Sequence, residues 1–115
     1  MKVPYVALDS QWTDIRDEAM PLIDQVLSTG MYLEHDLVSS LEENLASAIG
    51  VKEAVLVNSG TDALLMALLV LDIKRGDEVI TVPNSFIASV AAISHVGAHP
   101  VMVDVGADHL IDVAD

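Results

Sequence analysis

Three short polar segments interrupt apolar runs in the second half of this chain, and each could carry chemistry. The first is Asn58-Ser59-Gly60-Thr61-Asp62-Ala63. It closes one apolar run and opens another, as a turn from strand to helix does. A helix start offers free backbone N–H groups and the positive end of the helix dipole, which suits a phosphate. Gly60 has no Cβ, so a ligand can come close to the backbone there. The Thr61 hydroxyl can donate to a phosphate oxygen. Asp62 sits awkwardly beside an anion. Its N–H is expected to serve, with its carboxylate turned toward other backbone donors. The same residues also describe an ordinary capped turn, with Ser59 or Thr61 as the cap. The segment is neither GxGxxG nor a Walker loop, which needs a lysine that this turn lacks.

The second segment is Pro83-Asn84-Ser85-Phe86-Ile87-Ala88-Ser89. Phe86 is the chain's one phenylalanine and stands where strand should give way to helix. An aromatic ring there can stack on a flat ligand, worth about 0.5–1.5 kcal/mol beyond area burial. It can equally be a core side chain that closes the helix. The third segment is Val103-Asp104-Val105, where the acid could bond a ligand or cap the next loop, the cap being preferred. His95 and His99 are four apart, but Gly97 and Pro100 spoil the helix that a metal pair would need. Asp104, Asp108, Asp112 and Asp115 do not match a calcium loop and read as solvated acids. No metal site is expected.

The elements that must position these segments follow from apolar spacing. After an extended arm, Trp12, Ile15, Ala19, Ile23, Val26 and Leu27 mark one face of a helix. Asp9 or Ser10 could cap it, Pro21 should kink it, and Gly30 should stop it. Residues 31–36 form a loop. Leu37, Leu41, Leu45 and Ala48 mark a second helix that Gly50 ends, with Glu42 and Glu43 facing solvent. The period then changes. Residues 54–57, 78–82 and 101–105 read as buried strands, with Gly97 and Pro100 bracketing a loop before the last. Residues 63–71 and 86–96 read as helices, the first apolar almost all round and so expected to be buried on most sides. Two helices followed by β-α-β-α-β imply a parallel sheet whose ligands bind beyond the C-terminal strand edge. Gly60 and Phe86 should share that edge.

Composition narrows the class of function. The chain has 115 residues, 52% of them hydrophobic, and a net charge of −13. That length allows one domain at most. The apolar share is high for so small a unit and suggests surface meant to be covered. Strong negative charge repels phosphate backbones and anionic lipid, so nucleic-acid and membrane-surface roles are not expected. Cysteine is absent, which removes disulfides and thiolate metal sites. No apolar leader pattern follows the first residues, and the long uncharged stretch 82–103 is broken by Pro83, Gly97 and Pro100. A cytoplasmic protein is the default expectation.

Taken in order, four stretches carry a family resemblance. They are Val57-Asn58-Ser59-Gly60-Thr61-Asp62-Ala63-Leu64, then Gly76-Asp77-Glu78-Val79-Ile80-Thr81-Val82-Pro83, then Ser85-Phe86-Ile87-Ala88-Ser89, then residues 96–105. The series resembles the DegT/DnrJ/EryC1/StrS family of sugar aminotransferases, over all of this chain and about the first third of such an enzyme. Val3-Pro4-Tyr5 and Val51-Lys52-Glu53-Ala54-Val55 fit as well.

The resemblance implies an α/β fold. This would be the N-terminal part of a pyridoxal-phosphate (PLP) fold-type-I large domain, with helices followed by a parallel β-α-β-α-β unit. All 115 residues would form one partial domain, residues 1–50 its N-terminal helices and 51–115 the start of the cofactor-binding unit. The family transfers an amino group, usually from glutamate, to a keto-sugar that is typically nucleotide-linked, and its members are usually homodimers. By position, Gly60, Thr61 and Asp62 match the cofactor-phosphate turn, and Phe86 the aromatic that stacks on the pyridine ring. The acid at the pyridine nitrogen and the Schiff-base lysine are expected beyond Asp115, so the 115 residues alone are expected to be inactive. Residues 31–36 depart from the glycine-containing loop many members have near the substrate, and Asn84-Ser85 replaces a commoner polar-Thr pair. Three alternatives stay open: a non-catalytic fragment or subunit-pairing module, a small phosphate- or sugar-nucleotide-binding α/β protein, and the family's dehydratase branch, which has histidine for the lysine.

Overall fold

The computed structural model describes residues 3–33 and 36–114. Expectations for Lys2, for Glu34 and His35 in the loop and for Asp115 in the acidic tail lie outside the described residues. The chain divides into two compact units, Met1–Leu56 and Val57–Asp115.

The first unit holds two helices, α1 (Leu8–Thr29) and α2 (Asp36–Ile49). α1 begins earlier than expected. Its N-cap is Ala7, and neither Asp9 nor Ser10 caps it. The Ser10 hydroxyl instead donates back to the Ala7 carbonyl at 2.8 Å. Such back-bonding is what a serine inside a first turn commonly does. The helix runs on through Pro21, giving up the one donor that proline lacks. In α2 the buried position is Ala46, not Ala48. Glu42, one turn before Ala46 on the same face, is half-buried where a solvent-facing acid was expected. Its Oε1 accepts the Leu56 N–H at 2.8 Å.

Gly50 ends α2 with φ +78, and the N–H groups of Gly50 and Val51 both bond the Ala46 carbonyl at 2.9 and 3.0 Å. A residue with a Cβ is strained there by about 1–2 kcal/mol. Gly50→Ala is therefore expected to lower stability by about 1 kcal/mol. It should appear as a lower urea midpoint at unchanged slope.

In the second unit the order is α3 (Gly60–Val70), β1 (Glu78–Thr81), α4 (Ala88–His95), β2 (His99–Met102). β1 and β2 pair in parallel, Glu78 opposite His99 through Thr81 opposite Met102. The ladder extends at both ends, through the His99 N–H to the Asp77 carbonyl and the Val103 N–H to the Thr81 carbonyl. β2 thus starts two residues before the expected strand and takes in Pro100. Successive N–H groups of a strand point to alternate sides. His99 and Val103 both donate toward β1, so Pro100 faces the other side, where its missing N–H leaves no gap in the β1–β2 ladder. Residues 103–105 turn away from that ladder. Val105 bridges Ile111 in antiparallel fashion, and Gly106 and Asp112 bond Leu110 and Asp104 through their backbones.

Two further expectations are corrected. Residues 54–57 form no strand, so the sheet of the described residues has two strands. The Leu56 N–H goes to Glu42 instead of to a ladder. Also, α3 is not buried on most sides. It has no buried residue, and Val70 is 87% exposed. α3 packs on α4, and α4 on both strands, through the small buried residues Ala88 and Ala92 with Ile93. Alanines allow close helix contact, but one such contact covers only one side of an all-apolar helix.

Candidate functional site

The described residues of the second unit build the site from two helix starts and one strand end. α3 leads through the turn at residues 71–77 into β1, so its N-terminus lies toward the C-terminal end of that strand. α4 follows β1 directly, so its start lies at the same edge. Leu64 near the start of α3, Thr81 at the end of β1 and Ser89 at the start of α4 line one cavity of about 240 Å³. The connections, rather than this cavity, which also takes in Leu68 and Val79, set the Gly60 turn and the Phe86 segment at one edge of the sheet.

Ser59 is the N-cap of α3, extended at φ −159, ψ 158. Its Oγ accepts the Asp62 N–H at 3.1 Å. The same hydroxyl donates to Asp62 Oδ2 at 2.9 Å. The capping reading holds, and it leaves donors over at this turn. The cap uses the donor at Asp62, and the N–H groups of Gly60 and Thr61 have no partner among the described residues. They are two of the four donors that every helix start leaves over. Asp62 is a correction in detail. Its N–H is committed to the cap, and its carboxylate takes a side-chain hydroxyl, where a backbone donor had been expected. Nothing lies within 4 Å of a Cβ built on Gly60, so the approach to these donors is open. The Thr61 hydroxyl makes no hydrogen bond to another described residue. Open backbone donors, one free hydroxyl and a helix N-terminus form a donor set that fits a phosphate group.

Phe86 lies between β1 and α4 and is 76% exposed. The core reading of this ring is thereby set aside. Its carbonyl accepts the Ser89 N–H at 3.1 Å, and the Ser85 and Ser89 hydroxyls pair at 2.9 Å, which fixes the segment's shape just before α4. Asp104 accepts the Asp112 N–H through its carbonyl, so it anchors the tail loop. His95 stands on the last turn of α4, with its ring Nδ1 2.7 Å from the Ala91 carbonyl, while His99 stands on β2. Glu42 was missed by sequence reasoning as a structural acceptor. Its partner is fourteen residues away, and no local pattern announces it.

The arrangement is that of a parallel α/β unit with an open helix start at its strand edge. A family model for the DegT/DnrJ/EryC1/StrS aminotransferases matches residues 13–115, and the chain belongs to that family. Its enzymes depend on PLP. The chain is 40% identical over 103 residues to the UDP-N-acetyl-3-dehydro-alpha-D-glucosamine 3-aminotransferase of Acidithiobacillus ferrooxidans, covering 90% of this chain and 28% of that protein. It is 40% identical over 108 residues to the dTDP-3-amino-3,4,6-trideoxy-alpha-D-glucose transaminase of Streptomyces venezuelae, covering 94% and 28%. The crystal structure of S. venezuelae DesV in complex with a ketimine intermediate superimposes with a TM-score of 0.88 at 39% identity, again over 91% of this chain and 28% of that one. The fold is accordingly that of an N-terminal portion of a fold-type-I aminotransferase. The chain spans just over a quarter of these relatives' length. Among the described residues, no helix is long and apolar enough to cross a membrane.

Proposed function

We propose that the chain supplies the cofactor-phosphate turn of a PLP-dependent aminotransferase that moves an amino group, from glutamate in the first instance, to a nucleotide-linked keto-sugar. The observation that carries this reading is the pair of unpartnered N–H groups at Gly60 and Thr61, inside the stretch that the family model matches. Gly60, Thr61 and Asp62 form the turn. The two free N–H groups and the Thr61 hydroxyl hold the phosphate, and Asp62 contributes through its tie to Ser59. Phe86, exposed at the same edge, offers the face on which the pyridine ring stacks. The cofactor supplies the electron sink that transamination needs. The similar A. ferrooxidans and S. venezuelae proteins are named for UDP- and dTDP-linked sugars, and this supports a nucleotide-linked acceptor. A second copy of the chain is the proposed partner. Residues 1–115 are proposed to form one partial domain and to lack, by themselves, the amine the reaction needs.

Titration with PLP, followed by amide NMR, tests the site. Shifts are expected to centre on Gly60 and Thr61. Thr61→Ala should weaken binding by about 1 kcal/mol, the scale of one hydrogen bond. Shifts centred on another loop, with Gly60 and Thr61 unmoved, would refute the assignment.

A further inference from the structure

We propose that Ser59 is a positioning residue for this turn, holding the Asp62 carboxylate away from the N–H groups that the cofactor phosphate takes. The proposal rests on the phosphate-site reading above, for which the family match is the ground independent of the turn's own geometry. A single hydroxyl does two jobs. As acceptor it takes the Asp62 N–H at 3.1 Å, and as donor it gives its proton to Asp62 Oδ2 at 2.9 Å. Asp62 is the acidic residue of the first turn of α3, and no basic residue lies in that helix. A carboxylate in a first helical turn is drawn to the helix N-terminus, and short acidic side chains readily take nearby backbone N–H groups. Without Ser59 Oγ, the donors open to the Asp62 carboxylate at this helix start are the Ser59, Gly60, Thr61 and Asp62 N–H groups, two of them the ones the phosphate needs. It then competes from within the molecule with any anion that arrives, and repels it as a like charge. The hydroxyl keeps this acid out of the anion's place.

The claim predicts that the loss caused at Ser59 disappears once Asp62 is gone. PLP and, separately, inorganic phosphate are titrated into the wild-type protein and the Ser59→Ala, Ser59→Thr, Asp62→Ala and Ser59→Ala/Asp62→Ala variants. Gly60 and Thr61 amide shifts and the phosphorus resonance report binding. Circular dichroism reports helix content. Ser59→Ala is expected to weaken binding about tenfold, the scale of losing one to two hydrogen bonds to a competitor. Ser59→Thr, which keeps the hydroxyl, should stay within about twofold of wild type. The double variant should bind within about twofold of Asp62→Ala alone, because the competitor is gone. A hydroxyl that touched the phosphate directly, or merely capped α3, would give a double variant as weak as Ser59→Ala or weaker, and that result overturns the proposal alone. Wild-type shifts centred away from Gly60 and Thr61 would overturn the site reading, and this proposal with it.

Discussion

A polypeptide of these 115 residues, mixed with PLP and then freed of unbound cofactor, is expected to retain no stoichiometric lysine-bound cofactor. Transamination through PLP needs an amine that links to the aldehyde and then shuttles a proton. The sequence offers Lys2, Lys52 and Lys74. Lys74 lies in the turn before β1, its Nζ 2.6 Å from Asp72 Oδ2. That turn is at the opposite end of β1 from Gly60 and Phe86. Four strand residues span about 13 Å, beyond the reach of a lysine's four-carbon stem. Lys52 is a surface side chain, 93% exposed and 3.4 Å from Glu53. Borohydride reduction followed by mass spectrometry of a digest reads all three positions at once. One dominant adduct on Lys52 or Lys74, together with amino transfer from glutamate to a keto-sugar nucleotide, would show that the reacting edge has been misplaced.

The same polypeptide is expected to self-associate. α1 has no buried residue, and in and just beyond α3 Leu69, Val70 and Leu71 are 56%, 87% and 71% exposed. Contiguous apolar surface of this kind drives association in water. The net charge of −13 opposes it by mutual repulsion, and salt screens that repulsion. Association should therefore grow with ionic strength as well as with concentration, the reverse of a complex held by opposite charges. Sedimentation at low and high salt measures the mass directly. A sharp, reversible thermal transition at monomer mass, unchanged by salt, would count against the expectation.

Local rules made much of this fold legible. Gly30 and Gly50 stop their helices with positive φ, and a glycine after a periodic run is a strong stop signal. The β-branched run 78–82 read as β1, and the break at Pro83 marked the way into α4. What the residues hid was non-local. Residues 54–57 have the composition of a strand, but a strand exists only where another backbone meets it, and here Glu42 meets it instead. Pro100 read as the end of a loop begun at Gly97, yet a strand tolerates a proline whose missing donor faces away from its partner. At the site, the turn and its cap were both readable from Ser59-Gly60-Thr61-Asp62. The direction of the Asp62 carboxylate was not, because a hydroxyl and a backbone N–H are equally plausible partners until the turn closes.

Pro100 also gives the sheet a direction of growth. Its missing donor lies on the flank of β2 turned away from β1, so a strand arriving on that flank would face a carbonyl with no N–H opposite. Proline on an outer strand is a common guard against edge-to-edge pairing. The opposite flank of β1 carries no such guard, since Glu78, Val79, Ile80 and Thr81 all keep their donors. Any strand that joins this sheet, whether from the same chain or from a neighbour, is therefore directed to β1, while β2 remains its terminus.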